Sequence, residues 1–301
     1  MKNEEAASIR SVVRGVDLSP IWDALMEMYE VFSSICLKHN LRHYVTDGSA
    51  IGAVRHKGFI PWDDDLDVSM PRPDYNKFME IASKELPSNL VAYDRHQCPE
   101  MKVLFGKVQE VRESKVHKVE KQIGRILAHG LYIDIFPIDG CPSSAFEIAW
   151  VKFRYMILLG IQRYRCNAFL CYSFKGRLMW ILGWLSSHML PNMRKIKDVD
   201  DVLAAKEALV GCYPYNECNN TVRLPNFINR LIIFNKSVWG EGVKVPFVSS
   251  HVVLPTMFDS YLRAAFGDYM KLPPEDKRYS THVVNEYLPW WLGPTLPDKS
   301  V

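Results

Sequence analysis

Residues 46–68 read TDGSAIGAVRHKGFIPWDDDLDV. Asp63, Asp64 and Asp65 are consecutive, and Asp67 follows after one leucine. Crowding like charges does nothing for stability, so the cluster needs another reason. The alternation in DLDVSM (65–70) fits a strand, on which side chains two apart share a face. Asp65 and Asp67 then project together, while Leu66 and Val68 turn into the core. Paired carboxylates repel unless a cation neutralises them. Magnesium suits such a pair, with manganese as the alternative, because a hard cation takes oxygen ligands and bridges to phosphate. A solvated acidic loop is the plain alternative, but it leaves the apolar FIPW before the cluster and the alternation after it without a cause. A D-x-D pair also serves sugar-nucleotide glycosyltransferases, where it binds a manganese–diphosphate; that is the competing chemistry.

Upstream, LRHYVT (41–46) reads as a short strand, DGSA as a turn and IGAVRH as the start of a short helix. Backbone N–H groups at Gly48 and Ser49 in such a turn can cradle a phosphate. Arg55, His56 and Lys57 form a positive patch that suits a nucleotide diphosphate or simply ends a solvated helix. Downstream, LYIDIFPID places Asp134 within an apolar run, where a lone charge is costly to bury. Asp134 is therefore a candidate third carboxylate for the cation, or a general base, while Asp139 reads as a turn residue. Lys107, in the strand candidate LFGKVQEV, faces either the phosphates or solvent.

The rest of the 301 residues frames this centre. Ser19-Pro20 opens a helix with a capping hydroxyl, and Ile21, Leu25, Met28, Phe32 and Cys36 recur at helical spacing until Asn40. Residues 1–142 read as a mixed α/β catalytic core, 143–211 as a helical lobe facing either a membrane surface or the acceptor, and 212–301 as a part packing on the core and contributing to donor binding. Composition is that of a soluble globular protein, 48% hydrophobic and 24% charged, and a net charge of +3 gives no reason to expect nucleic acid. The start MKNEEAASIR lacks an apolar signal core, which points to the cytoplasm. Seven cysteines without a CxxC pair read as thiols in a reducing compartment; a zinc site from Cys166, Cys171, Cys212 and Cys218 is the alternative. The apolar stretch between Arg177 and Arg194 is too short for the ~20 residues of a membrane span. It reads as a buried helical pair or as an interfacial anchor at the inner face of the membrane.

DGSAIGAVRHKGFIPWDDDLDVSMPRPDY resembles the signature of the LicD family of phosphotransferases. Gly48-Ser49-Ala50-Ile51-Gly52 stands where the family usually has Gly-Thr-Leu-Leu-Gly, and FGKVQEV, GLYIDIFPID and YLRAAFGDYMKLPPEDKRYSTH resemble its later blocks. The resemblance implies a nucleotidyltransferase-like mixed-sheet core and divalent-metal catalysis. It implies a CDP-linked alcohol donor, a glycan or glycolipid acceptor, and CMP as the leaving group. Phosphocholine is the expected cargo, with ribitol phosphate and glycerol phosphate as alternatives. On this resemblance Asp65 and Asp67 hold the metal, Asp134 assists it or accepts a proton, and Gly48 and Ser49 hold phosphate oxygens. Arg55, His56, Lys57 and Lys107 balance charge as CMP departs. A choline head would rest on aromatic faces, for which Trp239, Phe258, Tyr261, Phe266, Tyr269, Tyr287, Trp290 and Trp291 are candidates, with Glu286 as a counter-charge.

Overall fold

The computed structural model describes residues 12–13, 16–99, 101–110, 131–166, 174–224, 231–275 and 278. They form two compact units. One draws on the described residues up to Asp94, on those of 105–137 and on those from Lys236, the other on those of 95–104 and 138–235. The architecture is mixed α/β with a large helical part, as the sequence implies. The stretch 143–211 lies within the second unit, and residues 212–301 divide between the two.

The first unit opens with a small hairpin, β1 (Val12–Val13) and β2 (Val16–Asp17), and then α1 (Ser19–Lys38). The stripe Ile21, Leu25, Met28, Phe32 and Cys36 is buried along its length. Each large member contributes about 1.5–3 kcal/mol by leaving water. The N-cap is Leu18, not Ser19; serine and Pro20 both enter the first turn, where a missing N–H costs nothing. The helix ends where Asn40 takes φ +53° and the Leu41 N–H reaches the Cys36 carbonyl at 2.8 Å.

β3 (Tyr44–Val45), α2 (Asp47–Arg55), β4 (Asp67–Pro71), α3 (Arg72–Glu85), β5 (Leu90–Tyr93), β6 (Gly106–Glu110) and β7 (Tyr132–Cys141) follow. The strands lie in the order β3-β4-β7-β6-β5, and β3–β4, β5–β6 and β6–β7 are antiparallel. β7 changes partner along its length. It pairs with β6 up to Ile135 and with a later strand from Asp139. Pro137, which cannot donate to a ladder, sits in the gap between the two pairings. Asp139 is thus a buried strand residue rather than the turn residue its sequence context suggests.

The second unit continues with α4 (Ala145–Arg165), α5 (Phe174–Met189), α6 (Val199–Gly211), β8 (Asn220–Val222) and β9 (Ile233–Asn235). Its core includes Tyr155, Leu159, Ile161, Val202, Leu203 and Val222. Lys206 is fully buried there, donating to Gln162 Oε1 at 2.5 Å, and burial pushes its pKa down to about 7. The chain returns to the first unit through the hairpin of β10 (Val243–Phe247) and β11 (Ser250–Leu254), and through α7 (Phe258–Phe266). Among the described residues no helix is long and apolar enough to cross a membrane.

Candidate active site

Helix α2 starts earlier than its sequence suggests. Thr46 is extended, and Asp47, at φ +52°, is the first helical residue. Aspartate tolerates this left-handed conformation, and Tyr261 on α7 fixes it. The Tyr261 hydroxyl donates to Asp47 Oδ1 at 2.9 Å and accepts the Asp47 N–H at 3.3 Å. Gly48 and Ser49 therefore stand in the first turn of the helix rather than in a turn before it. Ser49 is buried, and its Oγ accepts the Asp67 N–H at 3.0 Å, which pins the start of β4. Gly48 leaves room for a carboxylate: a Cβ there would lie 2.8 Å from Asp63 Oδ2.

β4 begins at Asp67, two residues later than the expected strand, but the alternation holds. Leu66 and Val68 are fully buried, while Asp65 and Asp67 are half-buried on the other side. Burial pushes the Asp67 carboxyl well above the ordinary carboxylate range, and Asp65, Asp47, Asp134 and Asp63 push it the same way. The Asp63 carboxyl is raised by burial, then by Asp65 and Asp64, and it hydrogen-bonds to Asp65. Five carboxylates from α2, the 63–65 segment, β4 and β7 thus converge.

The counter-charge comes from across the sheet. Lys107 on β6 lies in register with Asp134 on β7, and their side chains form an ion pair. Lys107 is buried, with Nζ 3.3 Å from the Tyr132 ring centroid. It faces the carboxylates rather than solvent. The other basic candidates are arranged differently. Arg55 is on the last turn of α2, roughly 10 Å along the axis from Gly48. Its Nε donates to the His56 ring at 2.9 Å and its Nη1 to the Tyr269 carbonyl at 2.8 Å. Burial lowers the pKa of both Arg55 and His56; Arg278 adds to the first shift and Arg55 to the second. Lys57 is exposed, at φ +59°.

Among the described residues no group of three or more His, Cys, Asp or Glu side chains is arranged to hold a metal ion, the cysteines considered for zinc included; Cys171 lies outside the described residues. The donor chemistry at Asp65, Asp67 and Asp134 nevertheless fits a hard divalent cation. The oxygens are carboxyl oxygens, half-buried and crowded, and Asp65 and Asp134 add to the burial that raises the Asp67 carboxyl. A cleft of about 490 Å³ in the first unit is lined instead by Tyr29, Arg42, His43, Lys244 and His251. None of the candidate catalytic, metal or substrate-binding residues read from the sequence lines it.

Asp47, Asp63 and Tyr261 have roles at this site that the sequence did not assign to them. Asp47 and Asp63 carried a signal, since both are carboxylates flanking the named motif residues. The contact of Tyr261 with Asp47, 214 positions away, had no local signal. Tyr261 was a candidate for a choline cage, as were Trp239 and Tyr269. Trp239 is buried against Tyr44 and Tyr261, and Tyr269 is buried with its hydroxyl on Asp259 at 2.8 Å. Phe258 is half-buried and Phe266 exposed. Tyr287, Trp290, Trp291 and Glu286 lie outside the described residues.

Residues 40–156, which span the cluster from Asp47 to Asp134, match the family described as LicD/FKTN/FKRP, nucleotidyltransferase domain. The lipopolysaccharide cholinephosphotransferase LicD of Haemophilus influenzae is 24% identical over 280 residues, covering 87% of this chain and 95% of that protein. Residues 40–156 thus carry a domain of the LicD type. Uncharacterized proteins of Rickettsia typhi and Rickettsia prowazekii share shorter segments, 34% identical over 58 residues and 32% over 73. In the LicD frame, the four acidic residues of DDDLD and Asp134 fall inside the matched domain, and Tyr261 falls outside it.

Proposed function

We propose that this LicD-type transferase moves phosphocholine from a CDP-linked donor onto a hydroxyl of a lipopolysaccharide-type glycan, releasing CMP. The observation that carries the reading is the burial of Asp67 among Asp65, Asp47, Asp134 and Asp63. A bound cation offsets such repulsion and can bridge the carboxylates to phosphate oxygens. The Haemophilus relative, a lipopolysaccharide cholinephosphotransferase by name, supports the choice of cargo and acceptor.

In the step, the acceptor oxygen bonds to the phosphorus of the phosphocholine group. The phosphorus–oxygen bond to CMP breaks, and the hydroxyl proton passes to a carboxylate. Asp65, Asp67 and Asp134 would hold magnesium, or manganese, which neutralises charge on the phosphoryl oxygens when bound. Lys107 orients Asp134 through their ion pair and lends positive charge to the leaving diphosphate side. The first-turn N–H groups at Gly48 and Ser49 point a helix N-terminus at phosphate oxygens. Tyr261 holds Asp47, and so the start of α2, in place. Arg55 and His56 act at the far end of that helix, where they suit the nucleotide rather than the reacting phosphorus.

The test is CMP release by the purified chain from CDP-choline, CDP-ribitol and CDP-glycerol, with magnesium or with chelator. Magnesium-dependent release with CDP-choline preferred is the expected result. Release of UDP or GDP from sugar nucleotides, without CMP release, would replace phosphoryl transfer by glycosyl transfer.

A further inference from the structure

In the second unit helix α5 is packed inside out, and α4, which buries Val151, Tyr155, Leu158 and Leu159, carries a second apolar stripe on its outer side. On α5, Leu178, Ile181, Leu182, Leu185 and Met189 recur at three- and four-residue steps and form one stripe. That stripe is exposed, from 37% at Leu182 to 69% at Met189. The opposite side of α5 carries Gly176, Gly183, Ser186 and Ser187, and that side is the buried one. Gly183 and Gly160 of α4 meet backbone to backbone, so a methyl group at Gly183 would overlap the Gly160 carbonyl. Ser187 satisfies its hydroxyl on the Gly183 carbonyl at 2.8 Å. On α4, Phe146, Trp150 and Phe153 make a second exposed stripe, with the Trp150 and Phe153 rings stacked 5.7 Å apart.

Water-soluble helices bury their large apolar side chains and expose the small and polar ones. Helices in lipid do the reverse, with small residues at the helix–helix contact and large apolar residues outward. Charge points the same way. Between Glu147 and Asp198 there is no Asp or Glu, while Lys152, Arg154, Arg177, Arg194, Lys195 and Lys197 are all basic and exposed. An apolar face set among cations, with Glu147 at its α4 end, complements an anionic lipid surface. The 16 residues of α5 extend roughly 24 Å, short of a bilayer's hydrocarbon thickness, so the pair lies in the interface rather than spanning it.

We propose that the α4–α5 pair seats the protein in the interfacial layer of a membrane carrying anionic lipid. Leu178, Leu182, Leu185, Trp150 and Phe153 enter the acyl boundary, and the flanking Lys and Arg side chains contact headgroups. This holds whatever the donor and acceptor of the transfer are.

The test is flotation of the full chain with vesicles of phosphatidylcholine mixed with phosphatidylglycerol, and with vesicles of phosphatidylcholine alone. Binding to the mixed vesicles, weaker on phosphatidylcholine alone, is expected. Leu182→Gln with Leu185→Gln should weaken binding by roughly tenfold or more while leaving the melting temperature and CMP release from a soluble assay unchanged. Arg194→Gln with Lys195→Gln should weaken binding to the anionic vesicles by on the order of tenfold and leave the other set unchanged. Quenching of tryptophan fluorescence by brominated phosphatidylcholine in the wild-type chain checks insertion without any variant, and its absence would overturn the proposal. So would a wild-type chain that stays in solution with both vesicle sets. A dimer that the Leu182 and Leu185 substitutions dissociate, in a chain that ignores vesicles, would assign the face to a second copy instead.

Discussion

In the first unit charge is buried: Asp64 is inaccessible, and Asp63 and Asp67 are pressed among carboxylates. In the second unit apolar surface is exposed: Leu178, Leu185 and Met189 face outward while glycine and serine face inward. Both arrangements reverse the ordinary rule of burial, and neither contributes to stability. A rule broken locally, on a scaffold that obeys it elsewhere, marks where a ligand completes the structure. On the proposed function, the complement for the first unit is a cation that bridges to phosphate. On the proposed membrane seating, the complement for the second is an apolar medium.

The comparison predicts a hierarchy of effects. Asp134→Asn should lower CMP release by on the order of 10²–10³. Asp139→Asn, in the same strand but in the β8 pairing, should leave turnover within about tenfold and act on stability instead. Equal losses of turnover for the two would remove the distinction between a reacting and a supporting carboxylate.

Next come the two kinds of apolar stripe. Phe32→Ala on α1, where the side chain is fully buried, should cost about 3–5 kcal/mol in denaturant unfolding. Leu185→Ala on α5 should stay within about 0.5 kcal/mol in the absence of lipid. A large cost at Leu185 in solution would mean that this stripe packs on protein.

The smallest effects are on pH dependence. His43 is pushed down to about 4 by burial, from an ordinary 6.5. The unfolded chain takes up that proton first, so stability should fall as pH drops from about 6.5 towards 4. Lys206 is pushed down to about 7 from 10.5, so between those values the unfolded chain again holds more proton and stability should rise with pH. The slope is at most about 1.4 kcal/mol per pH unit for one group. Lys206→Met should flatten the alkaline window in urea titrations and leave the acid one unchanged.

Much of the site was legible because it is local. The alternation of Asp65, Leu66, Asp67 and Val68 fixes which side chains share a face, and it survives a strand that begins two residues late. The pairing of Lys107 with Asp134 depends on antiparallel register across β6 and β7, which no spacing in the sequence specifies. Asp47 and Tyr261 meet from opposite ends of the chain, so only the tertiary fold joins them. Asp139 was misread because Pro137 signals a turn; here the proline marks a change of strand partner instead. The helical stripes of α1 and α5 have the same period, and periodicity gives the face but not the medium it meets.

The most direct test of the central claim measures stability and CMP release together for Asp65→Asn and Asp67→Asn, with magnesium present and absent. If the carboxylates are crowded for chemistry, both variants lose release from CDP-choline. Their melting temperatures in chelator match or exceed the wild type, and magnesium stabilises the wild type more than either variant. Near wild-type turnover in either variant, or a fall in melting temperature that parallels the loss of turnover, would contradict it.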